Sequence, residues 1–147
     1  MNSDDLVIGS DEFTVRAAST KTIAIAALLG GVVGAVANVV LAVVAKAMDV
    51  PLEVVQSTGK EPTEIPAAAF AFATLIGALV GFGIAKLLSK RIDASKKFVM
   101  VTGALTALSL VFPFLSDAST ATQVVLALAH LVAGLAIITA LSRAIRN

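Results

Sequence analysis

Four polar side chains interrupt otherwise apolar runs in this chain: Asn38, Thr74, Ser109 and His130. Amide, hydroxyl and imidazole groups can accept and donate hydrogen bonds, and His130 is the only one of the four that titrates. Two kinds of chemistry fit such a set. Polar residues inside membrane segments bond helix to helix, at ~0.6 kcal/mol on average and ~1 to 2 kcal/mol in model peptides. Alternatively, an ionisable residue in such a setting marks a site for a ligand, a lipid or a proton. The third apolar run adds Thr102, Thr106 and Pro113, which share a helical face with Ser109 because spacings of four, three and four residues keep side chains aligned.

Other chemistries are excluded by what the 147 residues lack. There is no cysteine, and so no thiolate nucleophile, disulfide or iron-sulfur ligand. One histidine without an intramembrane acid is too poor a donor set for zinc, which takes four ligands or three plus water. Paired-histidine haem ligation would need an oligomer, and a proton-coupled pump of the small multidrug type would need an intramembrane carboxylate. No Ser-His-acid arrangement and no phosphate-binding glycine loop can be assembled. The expectation is a protein with no metal, no cofactor, no catalytic residues and no nucleic-acid partner; it is not expected to be an enzyme.

The elements that must position these residues follow from composition. Hydrophobic residues make up 58% and charged residues 14%, against about 25% charged in an ordinary soluble domain. The apolar residues also fall in continuous runs rather than amphipathic stripes, which points to a bilayer. Four spans are expected, at about 23–45, 67–88, 98–115 and 124–142, forming one all-α bundle of two antiparallel hairpins over residues 23–147. Residues 1–22 form a polar tail in which Ser10-Asp11-Glu12 suits a short helix start. Ala45-Lys46-Ala47 has the look of a cleavage site, yet the run before it is longer than a signal h-region and follows an acidic tail, so the first span is expected to be retained.

Between the first two spans, Pro51 is expected to begin a helical turn through Val55, which Ser57-Thr58-Gly59 breaks; Pro62 and Pro66 precede the second span. The third span is expected to run to Leu115 with Pro113 near its far end. Thr120 and Gln123 have capping-box spacing at the start of the fourth. With Trp and Tyr absent, Phe70, Phe98, Phe112 and Phe114 are the candidates for an interfacial aromatic belt.

Orientation follows from the basic run holding Lys90, Arg91, Lys96 and Lys97. If it faces the cytoplasm, so do both termini, and only Lys46 and Lys60 lie outside; the positive-inside rule selects this arrangement in the plasma membrane. The same four cations are expected to touch anionic lipid headgroups. Threading the chain this way puts Asn38, Thr74, Ser109 and His130 six or seven residues from the outer ends of their spans. That is a common depth of about 9 to 10 Å, a candidate polar layer in the outer half.

Small residues provide the packing surfaces, because helices in lipid associate through close backbone approach rather than a hydrophobic force. Gly30 and Gly34 lie on one face of the first span, Gly77 and Gly81 form a GxxxG pair on the second, and Gly134 lies beside His130 on the fourth. The pair serves either packing within the bundle or a homodimer face.

In its third and fourth spans the chain resembles a family of small actinobacterial four-helix membrane proteins classed as a domain of unknown function. The residues that carry the resemblance are Ser109-Leu110 followed by Pro113, the polar link Ser119 to Thr122, and Leu126-Ala127-Leu128-Ala129-His130-Leu131. Phe98 departs from it, since a larger aromatic is expected there. The resemblance implies fold and topology and brings no activity.

Three functional expectations result. The first is an accessory or interaction subunit, with other integral membrane proteins or a second copy as partner. The next is a binder or conduit for a lipid or small apolar molecule, built on the polar layer. An oligomeric channel is the weakest.

Overall fold

A computed structural model describes residues 18–55 and 61–146. The helix start expected at Ser10 and the break expected at Ser57 lie outside the described residues. Four α-helices dominate: α1 (Thr20–Ala47), α2 (Ala67–Leu88), α3 (Ala94–Ser109) and α4 (Thr120–Ala144). A two-stranded ribbon, β1 (Glu53–Val54) with β2 (Thr63–Glu64), joins α1 to α2, and a 3-10 turn, Phe112–Leu115, follows α3. Each of the four helical segments, the third taken as Ala94–Leu115, is long and apolar enough to cross a membrane. Their outward faces are apolar too, with Leu28, Leu29, Val33, Leu79 and Leu135 all exposed. A helix satisfies its own backbone, which lets such a surface face hydrocarbon.

Helices α1 and α4 start where serine can cap them. Ser19 and Ser119 are both extended, and each accepts a hydrogen bond 3.1 Å long from the backbone N–H three residues on, Thr22 and Thr122. In each case the threonine hydroxyl also meets the serine hydroxyl, at 2.8 and 2.9 Å. The α4 cap is therefore Ser119, not Thr120. Gln123 does not reach back to it as in a capping box; its amide donates to the Ser116 carbonyl at 2.9 Å.

The expected third span divides in two. Pro113 has no N–H to give the Ser109 carbonyl, four residues back, and its ring crowds that carbonyl. The α-helix accordingly stops at Ser109 and the chain continues through the 3-10 turn. At its other end α3 begins at Ala94, so Lys96 and Lys97 belong to its first turn.

Helix α1 lies antiparallel to both α2 and α4, and α4 also supports α3. Both described termini and the α2–α3 link share one end, here the terminal end; residues 48–66 and 110–119 share the other, the loop end. A core of Ile23, Ala85, Phe98, Leu141 and Ile145 seals the terminal end, and one of Ala42, Leu52, Phe70, Val125 and Ala129 seals the loop end. Phe70 and Phe98 are thus buried and not part of an interfacial belt, while Phe112 and Phe114 are exposed.

Residues 51–55 form no helical turn. Helix α1 ends in a Schellman motif: Asp49 is left-handed (φ 60°), its N–H bonds the Lys46 carbonyl, and the Val50 N–H bonds the Ala45 carbonyl. The chain then passes through a left-handed Leu52 into β1, Ile65 N–H bonds the Leu52 carbonyl at 2.7 Å, and Val55 N–H bonds the Asp117 carbonyl at 2.9 Å. Pairing with partners distant in sequence takes up the donors that a helical turn would have used. Because the Schellman position favours glycine, Asp49→Gly is expected to be neutral to stabilising, by no more than ~1 kcal/mol. A thermal melt of the purified chain would read this as an unchanged or higher midpoint.

Charge divides between the two ends. Among the described residues, Lys21, Lys86, Lys90, Arg91, Lys96, Lys97, Arg143 and Arg146 stand at the terminal end with Asp93 as the only acid. The loop end carries Asp49, Glu53, Glu61, Glu64 and Asp117, with Lys46 paired to Glu64. That ion pair is largely exposed and contributes little to stability.

Candidate functional site: a groove between α2, α3 and α4

Helix α3 packs mainly on α4 and less on α2, although a link of few residues joins α2 to α3. Its buried residues, Ala94, Phe98 and Thr102, all lie at or before Thr102, near the middle of the helix. Beyond Thr102 a gap opens between α2 and α3, with α4 behind it. The gap is a cavity of about 430 Å³, within the range of small-molecule sites.

Its walls are built from small and branched apolar residues. Ala69, Ala73, Gly77 and Gly81 line the α2 side, Leu105 and Thr106 the α3 side, and Ala133, Gly134 and Ile137 the α4 side. The four-residue spacing on α2 removes side-chain bulk along one strip, a signal that the sequence carried and that reading for GxxxG alone missed. Gly77 faces this space: a Cβ there would come no nearer than 3.6 Å to Ile137. Gly81 is different, because a Cβ would meet Ile137 Cγ2 at 2.8 Å and Leu141 Cδ1 at 3.1 Å. The GxxxG pair thus divides in role: both glycines line the gap, and Gly81 also packs closely on α4.

The remaining glycines named from sequence mark close approaches. At Gly30 a Cβ would lie 2.8 Å from Ala140 Cβ and 3.1 Å from the Ala136 carbonyl oxygen; at Gly34, 3.0 Å from Thr74 Cγ2. At Gly134 it would run into Thr106, 2.5 Å from Cγ2 and 2.8 Å from Oγ1.

All four members of the expected polar layer, Asn38, Thr74, Ser109 and His130, line the same cavity, together with Thr102 and Thr106. Asn38 holds three helices together: its Nδ2 donates to Thr74 Oγ1 at 2.9 Å and to the Ala129 carbonyl at 3.0 Å. A carbonyl can only accept, which fixes the amide orientation. The Thr74 hydroxyl, in turn, donates to the Phe70 carbonyl at 2.8 Å. Thr102 and Ser109 return their hydroxyl protons to their own helix, at Phe98 (2.6 Å) and Thr106 (2.7 Å).

Two acceptor atoms are left over. Asn38 is 2% exposed, and its Oδ1 has no hydrogen-bond partner. Leaving such an acceptor unsatisfied costs about 1–3 kcal/mol. His130 is exposed at the rim, its Nδ1 lying 2.8 Å from the Leu126 carbonyl. That contact requires the proton on Nδ1, so the neutral ring presents Nε2 as an acceptor. Ser109 and His130 meet the others across the cavity and not through direct hydrogen bonds.

Lys90, Arg91, Lys96 and Lys97 are all exposed at the terminal end, remote from the polar layer. Among the described residues, no group of three or more His, Asp or Glu side chains could hold a metal ion.

These features define a class: an all-helical, multi-pass membrane protein of four apolar helices, with a groove opening between two of them. Within that class, the chain belongs to a family of unknown function (DUF6069), whose model matches residues 18–147. No curated protein and no solved structure matches the chain.

Proposed function

We propose that this protein is a non-enzymatic plasma-membrane protein that holds a lipid or small apolar molecule in the groove between α2 and α3. The observation that supports this reading is the convergence of Asn38, Thr74, Ser109 and His130 on one largely apolar cavity. Ligand sites have this make-up, apolar walls with a few convergent polar groups. The accessory-subunit alternative draws its support from small-residue faces, and Gly30, Gly34, Gly81 and Gly134 are occupied by contacts within the chain. A conducting pore would call for a polar or charged path, and the lining contains neither lysine, arginine nor a carboxylate.

Orientation belongs to the same proposal. The cationic terminal end faces the cytoplasm by the positive-inside rule, which puts the polar layer of the groove in the outer half of the bilayer. Lys90, Arg91, Lys96 and Lys97 then lie at anionic headgroups, each contributing ~1 kcal/mol of attraction.

The test fills the groove without disturbing the bundle. Gly77→Leu places a side chain in the cavity, where the nearest neighbour of its Cβ is a methyl group at ordinary contact distance. Native mass spectrometry of the full chain released from nanodiscs should show retained lipid-sized mass on the wild type and its loss on the variant. Identical bound mass on both proteins would sink the proposal.

A further inference from the structure

Building on the groove reading, we infer that the occupant is a neutral lipid alcohol, an apolar body whose head donates a hydrogen bond. The inference comes from following each polar hydrogen of the lining to its acceptor. Both Nδ2 protons of Asn38, the hydroxyl protons of Thr74, Thr102 and Ser109, and the Nδ1 proton of His130 are spent inside the protein. What remains is acceptor capacity: Asn38 Oδ1, buried and unpaired, and His130 Nε2 at the rim. Thr106 has the one lining hydroxyl with no hydrogen bond among the described residues, and it can serve in either direction.

Lone pairs select against lone pairs. A carboxylate or phosphodiester head brings negative charge and acceptors to a site that offers no cation and mostly acceptors. A saturated hydrocarbon fits the walls but leaves Oδ1 unpaired. An alcohol answers both needs, since its O–H can donate to a lone pair of the site while its chain lies along Ala73, Gly77 and Leu105. Oδ1 is covered by its neighbours and His130 is exposed, so the head meets His130 at the rim before Asn38.

The experiment compares dodecan-1-ol, its methyl ether and dodecanoate at equal mole fraction in nanodiscs carrying the full chain, with occupancy read by native mass spectrometry. The ether keeps the shape and removes only the donor. The alcohol is expected to reach half-occupancy at about a tenfold lower mole fraction than the ether, the difference one hydrogen bond makes. His130→Leu and Asn38→Leu should each narrow that gap while ether binding persists. His130 is exposed, so its variant tests the inference even if Asn38→Leu fails to fold. Equal occupancy by alcohol and ether, preference for dodecanoate, or a tenfold gap that survives both substitutions would overturn the lipid-alcohol assignment and leave the groove standing. Absence of all three probes from the wild type would overturn both proposals.

Discussion

Gly30→Leu is expected to collapse the bundle rather than merely loosen it. A side chain at this position of α1 points into α4, where two of the three nearest atoms are backbone: the Ala136 carbonyl oxygen at 3.1 Å and Ile137 Cα at 3.3 Å. The third, Ala140 Cβ at 2.8 Å, has no rotamer by which to move away. Relief therefore requires the two helices to separate, and separation draws Asn38 away from the Ala129 carbonyl. One extra methylene in a packed interior costs about 1–3 kcal/mol, and leucine adds several carbons beyond Cβ. Thermal unfolding in a mild detergent should show a large drop in midpoint or no folded protein at all. Gly103→Leu is the control, since a Cβ there meets nothing within 4 Å. It should fold as the wild type does, because leucine also suits a helix better than glycine. Equal stability of the two variants would refute the α1–α4 seam.

Leu52→Ala should produce the next largest loss, about 2–5 kcal/mol. Leu52 lies outside the helices, yet it is fully buried among Ala42, Ala45, Phe70, Val125 and Ala129, side chains from three helices. Its backbone is left-handed (φ 48°), a conformation as uncomfortable for alanine as for leucine, so the substitution removes packing and retains the strain. This residue works against its surroundings at the backbone and repays that through its side chain. Hydrogen exchange should accelerate at Ile65, whose N–H bonds the Leu52 carbonyl, and at the start of α2 before the rest of the bundle responds. Unchanged protection at Ile65 alongside a normal melt would mean that the loop end is not sealed by this side chain.

How far these features were legible from the chain depends on what each requires. The four helices announce themselves as apolar runs of about the length a bilayer core requires. The polar layer was legible for a related reason: once helices alternate in direction, counting residues from an end gives depth, and Asn38, Thr74, Ser109 and His130 share it. Depth carries no information about azimuth. Chain order suggests that α2 and α3 are close neighbours, yet they meet far less than α1 and α2 do, and Gly81 lets α2 close on Ile137 and Leu141 of α4. The groove exists through that choice, and no periodicity within a single helix encodes it. The loop end was misread for a different reason. Asp49 and Leu52 adopt left-handed backbones that neither residue advertises, and the partners of Val55 and Ile65 lie far along the chain or across a turn. Pro113 was seen, but its effect falls four residues upstream, on the Ser109 carbonyl.

The bond from Val55 N–H to the Asp117 carbonyl has a consequence for what the molecule can do as a machine. It sews the connection of the first hairpin to the connection of the second at the loop end, while the covalent turn through Asp93 joins the hairpins at the opposite end. Between these stitches runs the α1–α4 seam, in which backbones touch at Gly30. Alternating-access carriers work by rocking one half against the other about a central site. Here the halves share a spine, and rocking them would tear it. On the reading proposed above, a molecule in the slot between α2 and α3 exchanges sideways through the opening between those helices, without the hairpins rocking about it.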